Sequence, residues 1–252
     1  MINSSVPKNW KDLQLDVFQI LSESGLNAEI EKTIITARGK ATIDVFAIDS
    51  AQTPPGIYLC ECKYWKKNVP KYVVHAFRTI LNDFGGNWGL IISKEGFQKG
   101  AYETSKNTNI ELLNWQQFQD LFAERWYRGY MVKKLTEEAG PLIKYTDPIN
   151  SRIFGKADTL PPKRLKRFLS LRKKYSSLAV LTSMLADFDL FFNKRVPTLP
   201  LLNIMRQRGI KKPGKIPIEI LQATSLHELL NLLIEQLHTA IKEFDEVFGG
   251  RA

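Results

Sequence analysis

Asp44 and the run Glu61-Cys62-Lys63 are the residues of this chain whose types and spacing could do chemistry. Asp44 is the only charge in Ala41 to Ile48 (Ala-Thr-Ile-Asp-Val-Phe-Ala-Ile), and Glu61 and Lys63 close an apolar run that begins at Ile57. Two carboxylates offer hard oxygen donors of the kind Mg²⁺ takes, and that ion keeps several waters and leaves room for a phosphate. A cation so held polarises a phosphodiester and acidifies a bound water. A lysine beside it can order that water or take its proton.

The elements that must position these residues are two strands and a turn. Ala41 to Ile48 is β-branched and apolar, and Ile57 to Lys63 alternates so that Leu59, Glu61 and Lys63 share a face. Ser50 to Gly56, ending Pro54-Pro55-Gly56, supplies turn chemistry between them. Pairing Ile48 with Ile57 across that turn sets Phe46 opposite Leu59, Asp44 opposite Glu61 and Thr42 opposite Lys63. Opposed residues bring their Cβ atoms to roughly 4.5–5.5 Å. Like charges there repel, and a cation between them is the natural compensation. A slip of one residue turns Asp44 to the other face.

This arrangement resembles the catalytic core of the PD-(D/E)XK nuclease superfamily, and within it the Mrr-type restriction endonucleases. The resemblance runs from about Trp10 to Phe122. An opening helix from Trp10 to Ser24 stops at Gly25, and a strand from Ala28 to Thr36 turns at Arg38-Gly39-Lys40 into the Asp44 strand. After Glu61-Cys62-Lys63-Tyr64-Trp65 come a helix from about Asn68 to Phe84, with Asn68 as cap and Pro70 in the first turn, and a strand from Trp88 to Ser93. Phe97-Gln-Lys-Gly-Ala101 opens a further helix, and Ile110 to Leu113 is the last strand, followed by a helix from Trp115. The resemblance implies an α/β restriction-endonuclease-like core, a mixed central sheet flanked by helices. It implies Asp44, Glu61 and the Cys62 backbone carbonyl as metal ligands, Lys63 as the residue that positions or activates the water, and Mg²⁺, or Mn²⁺, as cofactor. Two positions depart from the pattern. Ile43 stands where the superfamily name has proline. Gln14 stands where the opening helix often carries an acid, with Asp16 as the candidate substitute.

Charge separates the two halves of the chain. Up to Gly140 there are 17 basic and 16 acidic residues, whereas from Lys163 to Lys215 there are 14 basic residues against Asp187 and Asp189 alone. Such a concentration reads as a phosphate track. Pro161-Pro162 precedes a helix from Lys163 to about Ala186, whose apolar stripe is Leu165, Phe168, Leu169, Tyr175, Leu178 and Leu185. Lys163, Arg164, Lys166, Arg167, Lys173 and Lys174 decorate it, with Arg172. Arg206, Arg208, Lys211, Lys212 and Lys215 form a second basic cluster, read as a loop, and Lys66, Lys67 and Lys71 flank the helix after the motif. All are candidate nucleic-acid contacts. The last helix, from about Ser225 to Phe248, carries a capping-box pattern at Ser225 and Glu228.

The expected organisation is a nuclease domain over residues 1–130, a linker over 131–160 and a basic α-helical domain over 161–252. No apolar run approaches the roughly 18 residues of a membrane span, Met1 to Trp10 lacks a signal-peptide pattern, and Cys60 and Cys62 read as core thiols of a reducing, cytoplasmic environment. The expected function is a metal-dependent endonuclease of restriction or antiviral defence acting on DNA. The alternative is an inactive or partner-licensed DNA-binding subunit of a defence or repair complex. One site per chain and two strands to cut suggest a homodimer or a larger complex.

Overall fold

Asn9 starts the first helix by accepting a hydrogen bond from the Asp12 amide at 3.0 Å, and α1 (Trp10–Glu23) ends where Gly25 adopts φ 82°. The computed structural model describes residues 1–188, 191, 195–210 and 214–250. The chain divides into two units, Met1–Gly129 and Tyr130–Ala252.

In the first unit β1 (Asn27–Thr36), β2 (Gly39–Asp49) and β3 (Gly56–Lys63) form an antiparallel meander. Next come α2 (Lys71–Phe84), β4 (Trp88–Ser93), α3 (Lys99–Ser105), β5 (Ile110–Asn114) and α4 (Trp115–Trp126). β4 and β5 join parallel to β3, giving one mixed five-stranded sheet in the order β1-β2-β3-β4-β5. The long connections that parallel pairing demands are α2 and α3. Leu59 packs with Phe77 and Leu81 of α2, while its neighbour Tyr58 meets Phe122 of α4 edge-on with ring centroids 6.4 Å apart. Successive strand residues point to opposite faces, so α2 and α3 cover one face of the sheet and α1 and α4 the other. A Cβ at Gly89 would come within 2.9 Å of Phe77 and Leu81, so β4 needs glycine where α2 lies on it.

The start of α2 differs from the expectation that Asn68 caps it. Val69 bridges to Phe97 as an extended residue, donating to the Gly96 carbonyl at 2.9 Å and accepting from the Gln98 amide at 3.0 Å. Those bonds hold the chain out of helix until Lys71. Pro70 takes the cap position, and the Asn68 amide turns to the Phe97 carbonyl at 3.4 Å.

The second unit is helical throughout its regular structure among the described residues. Residues 131–160, expected as a linker, carry α5 (Val132–Thr146) and α6 (Ser151–Asp158). The reason is an apolar stripe, Leu135, Ala139 and Leu142, which is buried as α5 packs on α7 (Pro162–Ala186) and α10 (Leu226–Phe248). Two short helices, α8 (Leu201–Gln207) and α9 (Ile218–Gln222), lie between them in sequence. Aromatic rings fill the centre: Tyr145 stacks on Phe244 at 4.7 Å, and Phe168 meets Phe244 edge-on at 5.9 Å. Leu169 is not part of the α7 stripe. It is 49% exposed, and Leu171 is buried instead. At the start of α10, Ser225 accepts from the Glu228 amide at 3.3 Å, but Glu228 reaches past it to the Thr224 amide at 2.8 Å, so the reciprocal half of the expected capping box is made one residue earlier. No helix among the described residues is long and apolar enough to cross a membrane.

Candidate active site

The ladder between β2 and β3 keeps the register anticipated from the turn from Ile48 opposite Ile57 to Val45 opposite Cys60 and ends there, so the expected pairs Asp44–Glu61 and Thr42–Lys63 are not part of it. Just before Val45 the alternation of β2 breaks. Ile43 and Phe46 both enter the cluster packed on α2 although they are three residues apart, which a regular pleat forbids. On β1, the pairs Ile30–Val45 and Lys32–Ile43 bracket Glu31, whose φ is 51°. This paired irregularity turns Asp44 toward α1, where the Gln14 side-chain amide donates to Oδ1 at 3.0 Å. The Cys62 backbone N–H donates to Asp44 Oδ2 at 2.7 Å. Asp44 thus meets β3 through its carboxylate, in place of a ladder bond.

Glu61 and Lys63 follow at the C-terminal end of β3, paired in parallel with Ile91 and Ser93 of β4. The Lys63 ammonium forms an ion pair with Glu61 Oε1, and both side chains are about four-fifths buried. Lys63 Nζ also lies 5.3 Å from the centroid of the Trp65 ring. Burial, and next the charge of Asp44, push the Glu61 carboxyl above its usual range, while Lys63 pulls it back. Through the Cys62 N–H, the Asp44 carboxylate is tied to the residue between Glu61 and Lys63. Burial, reinforced by Asp44, also pushes the Cys60 and Cys62 thiols up, so both stay neutral and Cys62 offers the site its backbone.

This donor set fits a hard divalent cation. It consists of two carboxylates with incompletely compensated charge beside a backbone carbonyl at Cys62, all oxygen. No group of three or more His, Cys, Asp or Glu side chains gathers among the described residues. A cation here completes its shell with that carbonyl, water and phosphate oxygens. From α1, Gln14 is the residue that reaches Asp44. Asp16 lies two positions on, about 200° around the helix, and so cannot substitute for an acid at Gln14.

Residues 8–122 match the family model Mrr_cat, described as a restriction endonuclease. They form a restriction-endonuclease domain of the PD-(D/E)XK type. This endonuclease domain accounts for a little under half of the chain. A solved structure titled as a protein of unknown function, AF1548, aligns over 64% of this chain and 95% of its own at 16% identity, with a TM-score of 0.38. No curated protein matches the sequence.

Basic residues flank the site of the endonuclease domain. Lys66, Lys67 and Lys71 are exposed between β3 and the first turn of α2, which has no acidic residue and no side-chain cap. Lys94, not singled out by its sequence context, stands beside Lys63 and Tyr64. Its backbone N–H donates to the Lys63 carbonyl at 3.1 Å, its ammonium pairs with Glu95 at 3.0 Å, and it lies 5.0 Å from the Tyr64 ring. The available signal was topological, since a residue just past the end of a parallel strand sits at the end of its neighbour.

In the second unit Lys163, Arg164, Lys166 and Lys173 are exposed on α7. Arg167 and Lys174, one face of that helix, instead hold Glu243 of α10 at 3.4 and 2.8 Å. Arg172 is structural: its guanidinium donates to the Thr146 carbonyl at 3.2 Å and lies 4.5 Å from the Phe154 ring. Arg206 belongs to α8 and Arg208 caps its end, both exposed, so the second basic cluster begins on a helix, while Lys215, also exposed, lies outside the helices as a loop residue would. Lys211 and Lys212 lie outside the described residues.

Proposed function

We propose that this chain is a divalent-metal-dependent endonuclease that hydrolyses DNA phosphodiester bonds in restriction or antiviral defence. The observation that carries the reading is the approach of Asp44, in β2, to Glu61-Cys62-Lys63 at the end of β3 within a restriction-endonuclease domain. Asp44, Glu61 and the Cys62 carbonyl would hold the ion, Mg²⁺ by the hardness of its donors and Mn²⁺ as a substitute. Bound there, it supplies Lewis acidity to the scissile phosphate and to a water. Gln14 and the Cys62 N–H fix the Asp44 carboxylate in orientation. Lys63, steered by Glu61 and backed by Trp65, presents Nζ to position the attacking water or take its proton. Lys66, Lys67 and Lys71 supply phosphate contacts close to the site, and the exposed cations of the second unit supply phosphate contacts of their own. Two copies, or a partner subunit, would let one site per chain cut both strands.

Plasmid cleavage tests this reading. Supercoiled DNA should be nicked or linearised with Mg²⁺ or Mn²⁺ and left intact in EDTA. Lys63→Ala should slow cutting by roughly 10²–10⁴-fold, and Asp44→Ala should abolish it. A specific feature favours a second reading. Gln14 puts a neutral amide on Asp44 where an acid would add a metal ligand, which suits an inactive or partner-licensed DNA-binding subunit. Salt-sensitive DNA binding with neither metal binding nor cutting would select that reading and overturn the first.

A further inference from the structure

The segment after the catalytic lysine combines charge and exposed rings in a way that phosphate contact alone does not require. Between Glu61 and Asp83 the sequence holds four lysines and one arginine and no acid. Trp65 and Tyr72, in this segment, are 40% and 66% exposed. The bridge from Val69 to Phe97 fastens the segment to the start of α3. There Tyr102, 49% exposed, touches Phe97 with only its edge, the centroids 5.7 Å apart. Of the seventeen aromatic rings of this unit seven are buried and five are exposed, Trp10, Trp65, Tyr72, Trp88 and Tyr102. Three of those five, Trp65, Tyr72 and Tyr102, lie on the segment that carries Lys66, Lys67 and Lys71 or on the helix next to its bridge, and Trp65 lies against Lys63 itself.

We infer that Trp65, Tyr72 and Tyr102, interleaved with Lys66, Lys67 and Lys71, form a stacking platform for a single-stranded stretch of DNA leading into the active site. The inference rests on the nuclease reading for the role of the site and adds the substrate class: DNA with unpaired bases beside the scissile phosphate. Bases in an intact duplex are stacked on one another and offer no faces, so exposed rings gain nothing from it. Unpaired bases stack on such rings whatever their sequence, and lysines between the rings neutralise the backbone that links them. The surface is electrostatically suited to one polyanion and continuous with the site through Trp65.

The test is binding of a labelled oligothymidylate and of a blunt duplex of equal length by fluorescence anisotropy, in EDTA. Trp65→Ala, Tyr72→Ala and Tyr102→Ala should each weaken single-strand binding, by roughly five- to hundredfold for a ring that carries a base. They should barely change duplex binding, and Trp65→Phe should keep single-strand affinity near wild type. Unchanged single-strand affinity in all three alanine variants, or equal losses on single strand and duplex, would overturn the platform. Asp44→Ala should retain the same single-strand affinity. A chain that binds in this way yet never cuts would refute the nuclease reading and leave the platform standing.

Discussion

At the scale of single residues, the site holds a carboxyl group at the expense of the fold. Burial and the charge of Asp44 together raise Glu61 above its ordinary range despite its ion pair with Lys63. An acid whose folded pKa lies above its unfolded value disfavours the fold once pH exceeds the unfolded value, because the unfolded chain ionises more easily. Metal-free protein should therefore lose stability as pH rises through the carboxylate range. Glu61→Gln, which keeps an acceptor for Lys63 and removes the charge, should raise the metal-free thermal midpoint of the first unit by a few degrees. The same substitution should abolish the upward shift that Mg²⁺ or Mn²⁺ gives the wild type, since binding to the folded state alone stabilises it. Scanning calorimetry with and without metal reads both. A lower metal-free midpoint would show that the Lys63 pair outweighs the burial cost, and an intact metal shift would remove Glu61 from the ligand set.

At the scale of elements, the end of β2 is locked to α4 by a pair no local pattern announces. Asp49 is 1% exposed and receives the Arg125 guanidinium on both oxygens, with Nη2 to Oδ1 at 2.8 Å, while Arg125 Nε donates to the Ser24 carbonyl at 2.6 Å. The Arg125 bonds, opposed by burial and aided by Gln52 and the Ala51 amide, lower the Asp49 pKa from 3.8 to about 2. An acid lowered in this way stabilises the fold above its unfolded pKa and loses that contribution as pH falls through the folded value. The window runs from 3.8 down to about 2, and the partly exposed Arg125 keeps the contribution on the order of 1 kcal/mol. Arg125→Ala, which strands a buried carboxylate, should cost about 3 kcal/mol in urea unfolding. Arg125→Lys should recover only part of it, because one ammonium cannot reproduce the fork. A loss under about 0.5 kcal/mol for Arg125→Ala, the scale of an ordinary surface change, would mean that Asp49 is satisfied without it.

The contrast between that pair and the active-site strands marks what sequence can convey. The β2–β3 register was legible because Pro54-Pro55-Gly56 places the turn and the alternation on either side allows one phase. The kink at Asp44 was not, since Ile43 and Val45 are ordinary strand residues and Glu31, at φ 51°, is not the glycine that would advertise it. Asp49 and Arg125 are 76 residues apart, and nothing in either neighbourhood names the other. In α5, Pro141 reads as a breaker yet sits within the helix, so the stripe Leu135, Ala139 and Leu142 was masked. Asn68 has the right chemistry for a cap, and only the distant strand-like bridge to Phe97 explains why it is not one.

At the scale of the whole molecule, net charge is an imperfect guide to which cations meet DNA. The chain carries +10, most of it beyond Gly140. On α7, however, Arg167 and Lys174 neutralise Glu243, and Arg172 satisfies a helix-end carbonyl, so these cations already do work inside their own unit. Lys163, Arg164, Lys166 and Lys173 enter no ion pair among the described residues and stand in solvent. Each phosphate neutralised on duplex DNA adds about 0.9 to the slope of log affinity against log salt. Replacing those four by alanine should lower the slope by up to about 3–4, whereas Arg167→Ala with Lys174→Ala should change it by less than about 1. The latter pair should act on stability instead, by about 1 kcal/mol at most for such exposed ion pairs. Binding isotherms across a salt series, with a thermal melt of each variant, separate the two effects. Equal slope changes would mean that Glu243 releases its cations to DNA. No slope change in either set would clear α7 of contact and leave Lys66, Lys67 and Lys71 beside the active site as the residues that hold the phosphate backbone.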